Sequence, residues 1–288
     1  MIENYNKNLS GKTKKPLVIG SFFSFIKKIV QHRGLIRSMV ERDLKNRYIG
    51  SAIGIIWSVI HPLVLLISYT FVFSVIIKHP LGPESGTTSF AIYLFCGILP
   101  WMMFQETLVR SSNVLVEHSN LITKTLFPAE ILPVSVLIAN LFNHLIGVSI
   151  FLGIILFYLQ NLTIYVLLIP IYLFGLMIFA LGLSWIISGI QVFLRDTAQV
   201  VIVILTFWFW FTPIFFDENQ LSRVSKKLVF VMHFNPLAEV VIAYRKCLLI
   251  GEMPTWQGMV AIYGIALVTF IVGGIFFRYV KRSFADVL

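Results

Sequence analysis

The chain has 288 residues, of which 58% are hydrophobic and only 12% are charged, and its mean hydropathy is +0.87. This composition excludes an ordinary soluble domain, in which about a quarter of the residues are charged. The net charge of +10 reflects membrane topology and contact with anionic lipid rather than nucleic-acid binding. The sequence therefore predicts an all-α, polytopic membrane protein.

The N-terminal part is polar and basic. We expect residues 1–33 to be a cytoplasmic tail and 35–48 to be an amphipathic helix that lies in the membrane interface, because apolar residues recur there at helical spacing. The apolar side carries Leu35, Ile36, Met39, Val40, Leu44 and Tyr48. The polar side has two interpretations, a plain membrane anchor or a dock for a cytoplasmic partner or an anionic lipid head group.

Six apolar runs are long enough to cross a bilayer, since about 20 helical residues span about 30 Å of hydrocarbon. They cover 52–77, 90–109, 131–159, 164–189, 198–216 and 256–277. The connections leave no room for a soluble catalytic domain, so we predict one membrane domain over 34–288. Short basic loops stay cytoplasmic. With the basic tail inside, 17 of the 23 Lys and Arg lie on the cytoplasmic side, which predicts that both termini are cytoplasmic.

A short cytoplasmic helix is predicted between the second and third spans. It begins at Glu117 and ends before Pro128, because the helical conformation is disfavoured for the residue that precedes a proline. Two spans join this segment directly, so a partner that pushed on it would tilt both. A solvated turn fits the same spacing.

The spans carry little reactive chemistry. Glu106 is the one carboxylate close to the membrane interior, and Asn140, Asn143 and His144 share one face of the third span. Hydrogen bonding between helices is the usual use of such groups, and a proton relay is the alternative. No phosphate-binding loop, metal-ligand cluster or nucleophile with a base stands out in the sequence. We therefore expect no catalytic residue, metal site or cofactor in this chain.

Aromatic residues concentrate at 207–211, near the outer end of the fifth span. Consecutive residues point in all directions around a helix, so some of these rings must face protein or a pore. Aromatic faces stack on the apolar C–H surfaces of sugars, and a pore lined by them would suit a glycan. Lipid anchoring and helix packing are the alternative role for each ring.

The connection at 217–255 carries two apolar helical stripes that are too short to cross the membrane. Asn235 is a candidate N-cap, Pro236 suits the first helical position, and Glu239 lies in the first turn. We predict a re-entrant helix pair that dips into the outer leaflet, where irregular backbone must face protein or a water-filled cavity. An external amphipathic cap is the alternative.

Three stretches together are similar to a known family. The first runs from VERDLKNRY at 40–48 through GSAIGIIW at 50–57 to Pro62, the second contains FLRDTAQ at 193–199 and TPI at 212–214, and the third contains FNPL at 234–237 and YR at 244–245. The chain resembles the permease subunits of ABC-2 type exporters of polysaccharides, which include O-antigen, capsule and teichoic acid exporters.

The resemblance implies a homodimer in a bacterial inner membrane, with two copies of a separate ATPase subunit that bind ATP and Mg. A channel along the dimer axis would pass a lipid-linked glycan outward, and overall similarity favours O-antigen. Teichoic acid, capsule and a small lipid or drug are alternative substrates. An ion-coupled carrier that depends on His144 or Glu106 is the alternative from another class, whereas a membrane glycosyltransferase would show an acidic loop site that the sequence lacks.

The resemblance also assigns residues to four roles. ATPase coupling is expected of Glu117, His118, Asn120, Lys124 and Phe127. Contact with the ATPase and the lipid head group is expected of Arg42, Asp43, Lys45, Arg47 and Tyr48. The channel lining is expected to include Trp57, Phe207, Trp208, Trp210 and Phe211. The outer gate is expected at Asn235, Pro236 and Tyr244.

Overall fold

The structure, a computed structural model, describes residues 27–48, 54–76, 87, 89–125, 127–158 and 162–288. All regular secondary structure in these ranges is helical, as predicted. The first elements are α1 (Arg33–Tyr48), α2 (Trp57–Thr70) with its π turn Phe71–Ile76, α3 (Phe90–Glu117), α4 (Ser119–Lys124) and α5 (Ile131–Tyr158). Next come the 3₁₀ turn Ile164–Leu168, α6 (Ile169–Phe193), α7 (Thr197–Phe211), α8 (Glu218–Val224) and α9 (Lys226–Met232). The last are α10 (Pro236–Arg245) with its π turn Lys246–Ile250, α11 (Trp256–Val280) and α12 (Phe284–Val287).

Four described helices are long and apolar enough to cross a membrane, and they match the predicted second, third, fourth and sixth spans. They are Phe90–Glu117, Ile131–Phe157, Ile164–Phe193 and Trp256–Ser283. The predicted first and fifth spans contain shorter apolar helices, Pro62–Phe73 and Thr197–Phe211. Part of the predicted first span, at 52–53 and 77, lies outside the described residues. The 15 residues of α7 rise about 22 Å, which is less than the bilayer core, so helix length does not confirm six spans.

α3 is the central helix of the bundle. Most of its residues are buried, and it packs against α5, α6, α7 and α10. It also continues to Glu117, whereas the sequence predicted that the span ends at 109. The helix continues because Ser111, Ser112 and Leu115 are buried, so neighbouring helices cover this less apolar extension. α3 therefore runs without a break from the apolar part of the bundle to the segment that precedes α4.

The N-terminal helix packs on protein. Ile36 and Val40 of α1 are buried in a cluster that includes Ile131 and Leu132 at the start of α5. On the other side of α1, Arg37 and Glu41 form an exposed ion pair of 2.8 Å. The amphipathic pattern thus corresponds to an apolar side that rests on α5. The location of α1 in a membrane interface stays a prediction.

The seam between α6 and α11 contains glycines at intervals of seven residues. Gly175, Gly182 and Gly189 share one face of α6, and added Cβ atoms at all three would approach α11. A Cβ on Gly182 would lie 2.6 Å from the backbone of Thr269, and a Cβ on Gly273 would overlap the carbonyl of Gly182. The two helix backbones are therefore in contact, which small residues permit in membrane bundles.

We expect Gly182→Leu to destabilise the bundle, because overpacking costs about 1–3 kcal/mol or more and the obstacle here is backbone that cannot rotate away. The thermal unfolding midpoint of the purified chain in detergent measures this loss. Gly264→Leu on α11 is the matched control, because a Cβ there meets nothing within 4 Å. An equal loss in the two variants would contradict the backbone contact.

Candidate functional site

A cavity of about 700 Å³ lies among α2, α3, α5 and α7, with the C-terminal end of α1 beside it. Its aromatic lining consists of Trp57, Tyr69, Trp101 and Phe209. Its polar lining includes Arg47, Glu106, Asn140, Asn143 and His144. In the predicted orientation, Arg47 and Glu106 lie at the cytoplasmic end of the cavity, and Trp101 lies further outward than Glu106 on the same helix. A polar molecule that entered from inside would meet these charges before the ring of Trp101.

Two pairs of opposite charges cross-link α1 and α3 at the polar end of this cavity. Asp43 and Arg47 are one turn apart on α1, and Glu106 and Arg110 are one turn apart on α3. Arg47 Nη1 donates to Glu106 Oε1 at 2.9 Å, and Arg110 Nη1 donates to Asp43 Oδ2 at 2.9 Å. Arg110 Nη2 also donates to Asp43 Oδ1. We call these four residues the charge square, because each arginine binds the carboxylate of the other helix.

Asn140 of α5 ties the charge square to a third helix. Its Oδ1 accepts from Arg47 Nη2 and, at 3.5 Å, from Arg110 Nη1, while its Nδ2 donates to Thr107 Oγ1 at 3.1 Å. Only 14% of the Arg47 side chain and 23% of the Asp43 side chain are exposed. Charges that are partly withdrawn from water interact more strongly than surface pairs. The amide face predicted on α5 is therefore used for contacts between helices.

The residues expected to contact the ATPase and the lipid head group lie in two different environments. Arg42 and Lys45 are exposed on α1, whereas Asp43 and Arg47 belong to the charge square. The side chain of Tyr48 lies outside the described residues. Arg110 and its pairing were missed by sequence reasoning, because an arginine near the end of a span looks like any other topology signal.

The expected channel aromatics occupy different places. Trp57 lines the cavity, whereas Trp208 is partly buried and packs against the core, with its ring centroid 5.3 Å from that of Phe104. The side chains of Phe207, Trp210 and Phe211 are exposed on α7. The cavity lining also includes Tyr69, Trp101 and Phe209. Tyr69 and Trp101 were missed, because they lie inside long apolar runs in which no spacing distinguishes them.

The outer helix pair, α9 and α10, is bent by 95° at 233–235. Asn235 is the N-cap of α10, as predicted, and its Oδ1 accepts from Leu237 N at 3.1 Å. The same oxygen accepts from Trp208 Nε1 at 2.9 Å, and Nδ2 donates to Thr212 Oγ1 at 3.1 Å. Nearly every residue of α10 is buried, including Pro236. This burial favours insertion among the spans over an external cap.

Tyr244 and His144 join α10 to the membrane bundle. His144 Nδ1 lies 3.2 Å from the carbonyl of Leu99, so it donates there, and Nε2 accepts from the Tyr244 hydroxyl at 2.9 Å. Both side chains are buried. The histidine thus has one donor and one acceptor in use, which favours a bond between helices over a proton relay.

The side chain of Arg245, the last residue of α10, is buried next to the irregular segment that follows α7. Its Nη1 donates to the carbonyls of Pro213 at 2.6 Å and Phe216 at 3.3 Å, and its Nη2 donates to that of Ile214 at 2.6 Å. The guanidinium also lies 3.7 Å above the ring of Tyr93. Carbonyls beyond a helix end need such donors when they are buried. Sequence reasoning assigned no role to Arg245, although a charge that follows an apolar stripe was the available signal.

We expect Arg245→Met to lower the unfolding midpoint strongly, because each carbonyl left buried and unpaired costs about 1–3 kcal/mol. Limited proteolysis should also cut faster at 212–216. Lys246→Met removes a neighbouring basic side chain with no hydrogen bond to this turn among the described contacts, and it serves as the control. If the Lys246 variant were as unstable as the Arg245 variant, the carbonyl contacts would not be the cause.

His233 binds two carboxylates at the bend of the outer helix pair. Its Nδ1 lies 2.5 Å from Glu239 Oε1 and its Nε2 lies 3.4 Å from Glu218 Oε1. Burial lowers the pKa of His233, but the hydrogen bond and charge of Glu239, with those of Glu218, outweigh it and raise that pKa above 6.5. Only the protonated ring has two N–H donors for two carboxylates.

The raised pKa predicts that His233 stabilises the protein most below about pH 6.5 and that this stabilisation is lost as the pH rises through the raised value. The measurement is the difference in unfolding midpoint between the native chain and His233→Gln from about pH 5.5 to about pH 8.5, across the range where histidine titrates. The difference should narrow toward alkaline pH. A constant difference would exclude the ionic contact, and His32→Gln controls for general histidine effects.

The short helix predicted between the second and third spans is present as α4, and Glu117, Asn120 and Lys124, which lie in it or next to it, are exposed. Its cytoplasmic location stays a prediction. His118 Nδ1 lies 3.0 Å from the carbonyl of Val114, to which it donates. Phe127 packs against the buried cluster at the base of α5, and α12 contacts α4. Three of the expected coupling residues are thus exposed to solvent, whereas Phe127 packs the segment that follows α4 against the helix bundle.

Comparison with known proteins gives the family. A family model described as ABC-2 type transporter matches residues 34–249. The O-antigen export system permease protein RfbA of Myxococcus xanthus is 27% identical over 261 residues, which cover 91% of this chain and 98% of that protein. Two proteins of Klebsiella pneumoniae with the same name are 25% and 26% identical over 255 residues, or 88% of this chain and 95% of theirs. Because the family model covers most of its length, the chain belongs to the ABC-2 type transporter family.

Proposed function

We propose that this chain is the channel-forming permease subunit of an ATP-driven exporter that moves a lipid-linked polysaccharide, O-antigen, across a bacterial inner membrane. Both termini are cytoplasmic in this proposal. The relatives named as O-antigen export permeases match nearly their whole length, which favours O-antigen over capsule or teichoic acid. The observation that carries the proposal is the lining of the cavity, which combines the charges of Arg47 and Glu106 with the rings of Trp57, Tyr69, Trp101 and Phe209.

The cavity suits a polymer that slides. Its volume of about 700 Å³ holds a few sugar units, so a long glycan must pass through it rather than be enclosed. Trp57, Tyr69, Trp101 and Phe209 offer ring faces on which successive sugars can stack without reading their identity. Phe104 and Trp208 pack behind these rings and hold the wall in place.

A second copy of the chain completes the channel in this proposal. The exposed apolar side chains on α2 and α7 include Ile67, Phe71, Val75, Ile204, Phe207 and Phe211. α2 and α7 both line the cavity, so a homodimer that paired these helices would close the open side of the passage. The channel would then run along the dimer axis.

The energy comes from two copies of an ABC ATPase, which bind ATP and Mg outside this chain. Membership of the ABC-2 family implies such a partner. The exposed Glu117, Asn120 and Lys124 form its dock in this proposal. Because α3 runs without interruption from Phe90 to Glu117, a displacement of α4 reaches Trp101 and Glu106 directly. The chain itself is a transport subunit and not an enzyme.

The first test uses the chain as tagged bait, with co-purification of the ATPase and ATP hydrolysis by the complex as readouts. We expect Lys124→Ala and Phe127→Ala to reduce assembly or to uncouple hydrolysis from glycan export. Thr123→Ala is the control on the same helix, because the Thr123 hydroxyl bonds only the Ser119 carbonyl among the described contacts. If the chain purified alone and proton or sodium gradients drove export, the ABC mechanism would be wrong.

A further inference from the structure

The charge square contains two arginines whose terminal nitrogens donate to carboxylates of this chain. Arg47 and Arg110 lie on different helices, yet both donate to Oδ1 of Asn140. Guanidinium groups present parallel N–H donors that match carboxylate and phosphate oxygens. Two of them that converge on one acceptor can hold a single multivalent anion between them.

The carboxylates at these donors differ in accessibility. The Glu106 side chain is 42% exposed, while its partner Arg47 is 14% exposed, and both line the cavity. A ligand in the cavity would therefore meet the bond between Arg47 and Glu106 first. Asp43 lies behind it, bound to both arginines.

Two observations show that the square is not a fully satisfied ion network. Burial raises the pKa of the Asp43 carboxyl, although Arg47 lowers it, so the surroundings oppose the negative charge on Asp43. Arg47 Nε is buried and has no hydrogen-bond acceptor within the part of the chain that the structure describes. A buried donor without an acceptor favours any ligand that supplies one.

Resting on the proposed function, we propose that Asp43 and Glu106 are internal counter-anions that occupy a diphosphate site formed by Arg47 and Arg110. The diphosphate of a lipid-linked substrate displaces them and takes over the donors of both arginines. A group that replaces two carboxylates needs at least two negative charges spread over more than one centre, as a diphosphate ester has. Displacement removes the ion pairs between α1 and α3, so arrival of the substrate releases these helices from each other.

The test measures binding of geranylgeranyl diphosphate to the full-length chain in lipid nanodiscs by calorimetry. Arg47→Gln and Arg110→Gln should weaken binding about tenfold or more, because each removes a forked, charged donor. Asp43→Asn and Glu106→Gln should each tighten binding about threefold or more, because removal of a competitor shifts the exchange toward the ligand. A carboxylate with a purely structural role would give the opposite sign, and weaker or unchanged binding in both variants would overturn the proposal.

Glu41→Gln is the matched control. It removes the same charge from the same helix, but from the exposed Arg37 pair, whose side chains are 83% and 53% exposed. Exposed charges are screened, so we expect less than about a twofold change. If Glu41→Gln tightened binding as much as Asp43→Asn, a general electric field would explain the result and the proposal would fail. If Arg110→Gln does not fold, Arg110→Lys is the second variant. It keeps the positive charge but loses the paired N–H donors of the guanidinium, so it should also bind geranylgeranyl diphosphate weakly.

Two further probes identify the source of the diphosphate. Inorganic diphosphate lacks the lipid and geranylgeranyl monophosphate lacks the second phosphate, so both should bind more weakly than geranylgeranyl diphosphate. Equal affinity for inorganic diphosphate would assign the site to a free anion and overturn the lipid-linked substrate. A chain that shows the expected binding pattern but exports no glycan with its ATPase would contradict only the proposed function. A chain that exports glycan while Asp43→Asn and Glu106→Gln bind no tighter would contradict only this inference.

Discussion

Within hydrocarbon, each backbone N–H and C=O must find its partner inside the protein, and side chains at both ends of α10 supply such partners. Asn235 supplies an acceptor at the start of α10. Arg245 supplies donors to three carbonyls of the irregular segment after α7. One residue at each end of α10 thus also fastens the end of α7. The two helices are held as one unit, and the aromatic end of α7 keeps a fixed place relative to the outer helix pair.

The rest of the bundle gives α3 a firm support. The glycine seam brings α6 and α11 into backbone contact, and α6 in turn packs along α3. α3 carries Trp101, Glu106 and Arg110 on one continuous helix that leads to α4. A chain whose second span ended at 109, as the hydropathy pattern predicted, would place flexible loop between the cytoplasmic helix and the cavity. The continuous helix instead connects α4 to the charge square without a loop between them, which the proposed coupling requires.

Hydropathy alone located four of the candidate spans, because a membrane-spanning helix is recognised from the mean hydropathy of consecutive residues. The N-cap at Asn235 was also predictable, since capping involves neighbours in sequence. The charges of Asp43, Arg47, Glu106 and Arg110 were visible in the sequence, but their pairing was not. The contacts between α1 and α3 join residues 59 and 67 positions apart and depend on how α1 lies on α3, which no local pattern encodes. The same holds for Tyr69 and Trp101, whose role in the cavity wall comes from the orientation of their helices.

The contacts at the charged end of the cavity and the contacts around α10 differ in kind. At the charged end, the arginines hold side-chain carboxylates, which another anion can replace while the arginines remain paired. At the outer side, Tyr244 with His144 and Arg245 with backbone carbonyls form buried bonds that have no external substitute, so breaking them leaves polar groups unpaired at the full desolvation cost. In the proposed mechanism, an anion can therefore separate α1 from α3 by exchange. α10 can move only if its buried bonds break, and α3, which packs against both α10 and α4, is the helix that connects it to α4.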